Sequence, residues 1–199
     1  MWWLIPVGIV ALKLLHNVVS EDEYRARSNW QAKRVEVEKS LSDHQANIET
    51  HINHAQHSYD FHFLTDLHYS SLQVANAAYT LLDDAKKSLS GINKMLVSAK
   101  QQREQLQQTL EIARANKDKA VIHDTIEQLK MVNELRKSVF DDRDNIQQER
   151  DRLLAELQKL NNRTRELKDL IKNRCGSKGS DWYYRLEARK QQKRLAQGL

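Results

Sequence analysis

Cysteine, proline and glycine are almost missing from this chain of 199 residues, which has one Cys, one Pro and five Gly. A single thiol, Cys175, excludes an internal disulfide framework and cannot build a cysteine-based metal site alone. Pro6 is the only proline, and no glycine falls between Gly8 and Gly91 or between Gly91 and Gly176, so little in either interval interrupts a helix. So little punctuation excludes a loop-rich fold. Also missing are a Gly-rich phosphate loop, a nucleophile elbow and any strand pattern on which to mount either. Thin helical hairpins seldom provide the concave site that catalysis needs. The expectation is therefore a non-enzymatic, all-α protein with no cofactor.

Against these absences stand one apolar run and a high density of charge. The chain opens MWWLIPVGIVALKLLHNVV, apolar from Met1 to Leu12 apart from Pro6 and Gly8, then interrupted by Lys13. Taken to Val19, at ~1.5 Å per residue, the run is just long enough to span a bilayer if Lys13 snorkels. A cleaved export signal would carry basic residues before its apolar core and a small-residue cleavage site after it, and neither is visible. Trp2 and Trp3 suit the interfacial belt of a membrane helix. Residues 1–19 are thus expected to be a membrane anchor, with Trp2, Trp3 and Lys13 as its membrane-contacting residues. The competing reading is an amphipathic or buried terminal helix with Lys13, His16, Asn17 and Ser20 on one face. No Lys or Arg precedes the run, whereas Lys13, Arg25, Arg27, Lys33 and Arg34 lie on or after it. The positive-inside rule then predicts a single-pass membrane protein, N-terminus outside and bulk in the cytoplasm.

Downstream, the phase of the apolar positions decides where helices break. Leu82, Ala85, Leu89, Ile92, Leu96, Ala99, Arg103, Leu106, Leu110 and Ala113 alternate steps of three and four, the seam of a coiled coil. The seam passes through Gly91 undisturbed, so the helix is read as continuous there. After Ala113 the phase fails and a new stripe begins at Ile122, so an antiparallel turn is expected at Ala115 to Lys119, with Asn116 closing one helix and Asp118 capping the next. A strict stripe then runs Val139, Arg143, Ile146, Arg150, Leu153, Leu157, Leu160, Thr164, Leu167 and Ile171, whose Arg members must snorkel or pair. An earlier seam, Val37, Leu41, His44, Ile48, His51 and Ala55, is out of register with Leu64, His68, Ser71 and Ala75. The slip lies at SYDFHF, where a turn and a continuous helix with a stutter fit equally.

The predicted organisation is an anchor (1–19), a first cytoplasmic helix or stalk (20–62), an antiparallel coiled-coil hairpin (63–174), a linker CGSKGS (175–180) and a short C-terminal helix (181–199). Isolated stripes this narrow bury little area per chain, which points to a homo-oligomer.

Two clusters carry the candidate site residues. His51, His54 and His57 have helical spacing for metal ligands, but HINH lacks a third ligand and the zincin glutamate, so they are only weak candidates. The tail is the stronger feature. Lys178, Arg185, Arg189, Lys190, Lys193 and Arg194 stand there against Asp181 and Glu187, which accounts for most of the whole chain's +5. With Trp182, Tyr183 and Tyr184 they form an aromatic and cationic helix suited to a protein partner, anionic lipid or nucleic acid. The bland alternative is an amphipathic cap with Trp182 and Leu186 packed inward. Three functions follow from these features. The favoured one is a membrane-anchored scaffold or stalk that docks a partner protein through its tail, because three aromatics gather behind a reorienting linker. The others are a tethered nucleic-acid binder and a membrane-active oligomer with Lys13, His16 and Asn17 facing a pore.

Overall fold

The structure, a computed structural model, describes residues 18–54 and 60–198, without the side chain of His54. It is all-α, with no strand among the described residues. The helices are α1 (Glu21–His54), α2 (Phe61–Ala115), α3 (Lys119–Arg174) and α4 (Gly176–Ala196).

The single-pass membrane placement is corrected by this architecture. Among the described residues no helix is long and apolar enough to cross a membrane. The helices have the length, but charge recurs along each of them: even α2, the least polar, carries Asp83, Asp84, Lys86 and Lys87 in mid-course. Trp2, Trp3 and Lys13, assigned to the anchor, lie outside the described residues, as do His16 and Asn17.

Each helix boundary has a chemical cause. Ser20 and Glu23 form a reciprocal capping box at α1: the Ser20 N–H donates to Glu23 Oε2 at 3.0 Å, and the Glu23 N–H donates to Ser20 Oγ at 3.3 Å. Asp60 caps α2, its Oδ1 accepting from the N–H groups of His62 and Phe63. Between α2 and α3 the Asp118 N–H donates to the Ala113 carbonyl and the Lys117 N–H to that of Arg114, the paired bonds of a Schellman motif. Its left-handed residue is Lys117, at φ 55°, rather than Asn116. Asp118 then caps α3 through the N–H groups of Ala120 and Val121.

The stutter at SYDFHF is a chain reversal. The rings of His51 and Phe63 meet edge-on at 4.7 Å between centroids, whereas twelve residues of continuous helix would hold them about 18 Å apart. Residues 55–59, which include His57, lie outside the described residues.

The chain divides into two compact units. The first comprises Met1–Ala32 and Leu82–Asp151. Its interior holds Ala26, Trp30, Ala85, Leu89, Ile92, Val139 and Ile146. Trp30 is fully buried, and its indole N–H reaches Glu149 at 3.3 Å, while Arg27 pairs with Asp142. These two contacts advance together along both helices, so α1 and α3 run parallel here. Gly91 explains why the seam tolerates it: a Cβ there would come within 3.2 Å of both Val19 and the Glu23 side chain. Glu23 is buried in that gap, with Lys94 at 2.7 Å and Ser90 donating at 2.9 Å. The Lys94 ammonium, together with the Ser20 and Ser90 donors, overrides burial and holds the Glu23 carboxyl down at about 2.

The second unit comprises Lys33–Leu81 and Arg152–Leu199. Leu41, Ile48, Leu64, Ala75, Ala78, Leu153, Leu157, Leu160, Leu167 and Ile171 fill it. Gln45 donates to the Glu156 carbonyl at 2.8 Å and Arg163 pairs with Glu49, again a parallel pairing of α1 with α3. Three helices from one chain thus cover the stripes within each unit. The two Arg members of the α3 stripe, Arg143 and Arg150, sit half-exposed and turn sideways onto the neighbouring Asp144 and Asp151.

Residues 175–180, expected as a linker, are instead the start of a helix. Gly176 adopts φ +62°, which ends α3 with a left-handed residue, and α4 begins at once. Gly179 is buried against the α3 backbone, where a Cβ would collide with the Ile171 carbonyl oxygen and crowd Cys175. Both glycines therefore make a sharp helix-to-helix corner.

Two expected outcomes test these assignments. Leu153 is 0% exposed. Leu153→Asp or Leu157→Asp should lower unfolding free energy by about 3–5 kcal/mol through an unpaired buried carboxylate, and unchanged denaturant midpoints would refute the seam. Lys117→Gly should stabilise the chain by about 1 kcal/mol, since a left-handed residue with a Cβ is strained. A lower melting temperature in that variant would contradict the turn geometry.

Candidate functional site: the face of helix α4

Helix α4 folds back along α3. Lys168 bridges to Glu187 at 2.9 Å, and the Lys168 and Lys172 ammonium groups lie over the Tyr183 ring at 4.8 and 4.4 Å. With Gly179 against Ile171, contacts that advance along α4 recede along α3, so the two helices are antiparallel.

Trp182 faces α2, its ring perpendicular to that of His68 at 5.0 Å. His68 is buried, and neither its Nδ1 nor Trp182 Nε1 finds a hydrogen-bond partner among the described residues. The contact therefore holds through ring packing alone. Burial is the main reason that the His68 imidazole is pushed down to about 4, and the nearby Lys190 and Lys168 charges add to it. Glu187, paired with both lysines, is held below the usual carboxylate range by them.

The tail residues thus separate by role. Trp182 and Tyr183 fasten the helix, and Tyr184 stands exposed beside Tyr183. Lys190 is taken up by Glu187 at 3.2 Å. Arg185, Arg189, Lys193 and Arg194 are exposed, and no ion pair engages them among the described residues. Lys193 and Arg194 occupy the last turn, where cations also suit the helix dipole.

Beside Trp182 opens a cleft of about 370 Å³ between α4 and the first turns of α2. Phe61, Tyr69 and Trp182 form its aromatic walls, and Lys178, Arg185 and Arg189 bring cations to it, with Asp181 the one carboxylate. Phe61, Tyr69 and His68 escaped notice as site residues because periodicity placed His68 in a seam without showing what lay across it.

Of the weak metal candidates His51, His54 and His57, only the His51 side chain is among the described residues. His51 packs on Phe63, His44 Nδ1 lies 3.0 Å from the Ser40 carbonyl oxygen, and His57 and the side chain of His54 lie outside the description. Among the described residues no group of three or more His, Cys, Asp or Glu side chains is placed to hold a metal ion. Burial, aided by Asp60, raises the Cys175 thiol, which makes it a poor nucleophile. No family model, curated protein or solved structure matches the chain.

His68 makes the docking of α4 pH-dependent. Unfolded it takes a proton near 6.5, folded only near 4, so stability is complete above pH 6.5 and is lost as pH falls toward 4. The loss should be on the order of 2–3 kcal/mol for a group this buried. His68→Phe should flatten that part of the stability profile, measured by denaturant melts from pH 7 to 4. An unchanged slope would show that His68 is not the titrating group.

Proposed function

We propose that the protein is a non-enzymatic helical scaffold that docks an acidic protein partner through α4. The observation that carries this reading is the division of labour on that helix. Its aromatic residues Trp182 and Tyr183 are spent on fastening it, while Arg185, Arg189, Lys193 and Arg194 remain exposed and unpaired among the described residues. A cationic helix held rigid loses little further entropy on binding, and charge complementarity raises both the encounter rate and the selectivity for an acidic surface.

The tail therefore works differently from the expectation raised by DWYY. Trp182 packs on His68 and borders the cleft beside it, and the cations face outward. Nucleic acid is less favoured because the α4 cations lie along one helix of 21 residues, a short track for a polyanion. Self-association is not needed to cover the α2 and α3 stripes, since each unit covers them within one chain.

Charge reversal tests the proposal. Arg189→Glu with Arg194→Glu, carried in the full chain, should weaken retention on immobilised polyglutamate by at least about tenfold and remove much of its salt dependence. Circular dichroism and melting temperature should stay the same, because neither residue packs. Equal retention of wild type and variant would refute the proposal, as would stronger retention on duplex DNA than on polyglutamate at matched ionic strength.

A further inference from the structure

Acidic docking by α4 leaves open how a partner is told from any other anion, and the cleft beside Trp182 supplies an answer that rests on that reading. We propose that this cleft seats one aromatic side chain of an acidic peptide segment, with the neighbouring carboxylates of that segment on Lys178, Arg185 and Arg189.

Three features of the cleft point to this occupant. Its volume, about 370 Å³, is at the small end of the ~300–1,000 Å³ typical of ligand pockets, so it admits a single ring and its immediate backbone rather than an extended ligand. Its walls are Phe61, Tyr69 and Trp182, and rings prefer edge-to-face or offset partners, a geometry already set between His68 and Trp182 and between His68 and Tyr69. Its rim is cationic by three side chains to one, and none of the three is engaged in an ion pair among the described residues.

The elements that build the cleft are firm. Asp60 caps the first turn of α2 beneath Phe61, and α4 is tied to α3 by the Lys168–Glu187 bridge and to α2 by Trp182. Preorganisation of this kind is what lets a small pocket select one side chain. Tyr69 is exposed where it borders the opening, so it contacts a ligand without serving the core. Arg185 and Arg189 lie one turn apart on α4, a spacing that matches carboxylates on alternate residues of an extended peptide, which share one face. Asp181 can accept a hydrogen bond from a peptide N–H, a donor that the backbone of a phosphodiester strand lacks.

Fluorescence anisotropy with the full-length protein tests the proposal. The probe is a fluorescein-labelled peptide of sequence Glu-Asp-Glu-Phe-Asp-Glu-Asp, compared with the same peptide carrying Ala for Phe and with a labelled single-stranded oligothymidylate of equal charge. The expected result is that the Phe peptide binds at least tenfold tighter than the Ala peptide. Tyr69→Ala should erase that advantage while leaving weak binding of the Ala peptide intact, and Tyr69→Phe should preserve it. Arg185→Glu with Arg189→Glu should weaken both peptides, and the Phe peptide more. If both peptides bind equally and Lys193→Glu with Arg194→Glu is the most damaging pair, the cleft proposal is overturned and acidic docking by α4 stands. If neither peptide binds, or if the oligothymidylate binds more tightly than both, the cleft proposal and the acidic-partner reading fall together.

Discussion

The alternation of three and four residues along α2 is the constraint on which most of the structure depends. From Leu64 through His68, Ser71, Ala75, Ala78, Leu82, Ala85, Leu89, Ile92 and Leu96 to Ala99 the step never slips. A helix of 3.6 residues per turn can keep such a stripe on one side only if that side is covered along its whole length. Helices α1 and α3 do the covering in each unit, and their own stripes are the consequence. The polar members of the α2 stripe are resolved locally: Ser71 donates to the Leu67 carbonyl at 2.7 Å, and His68 is kept neutral by burial and roofed by Trp182.

The proposed docking surface is an extension of the packing. Helix α4 adds a fourth element where the α2 stripe offers a histidine instead of an aliphatic residue. A leucine at position 68 would give a flat apolar seat. The imidazole gives an edge against which the indole stands upright, and the cleft lies beside that contact. The same arrangement consumes the aromatic residues that the tail would otherwise present, leaving its cations as the outward chemistry.

The α3 stripe was legible in the sequence because most of its members are aliphatic and its two arginines fall at single positions that a long side chain can escape. The reversal between α2 and α3 was legible because the phase breaks there, although the left-handed role of Lys117 was not, since lysine has no preference for it. Trp30 was missed because its stripe, Glu23, Ala26 and Trp30, includes a carboxylate that only the Lys94 and Ser90 contacts make acceptable in a buried place. The Gly and Ser of residues 175–180 resemble a linker in composition, yet one glycine supplies a left-handed corner and the other a close approach. Periodicity reports which side of a helix is covered and not by what, so a contact such as His68 with Trp182, joining residues more than a hundred positions apart, has no local signature. The single-pass placement rested on the apolar opening run, most of which lies outside the described residues, and among the described residues no helix has the apolar length to cross a membrane.

Gly179 places an atom-sized tolerance at the centre of this arrangement. The distance between α3 and α4 is set by a backbone hydrogen resting on the Ile171 carbonyl, and Trp182, three residues further on, inherits that distance almost as a lever arm. A single methyl group at position 179 would meet Ile171 and Cys175, neither of which lines the cleft. The proposed docking surface would then be disturbed with every one of its side chains still present, so its integrity is a property of a spacing rather than of a list of residues.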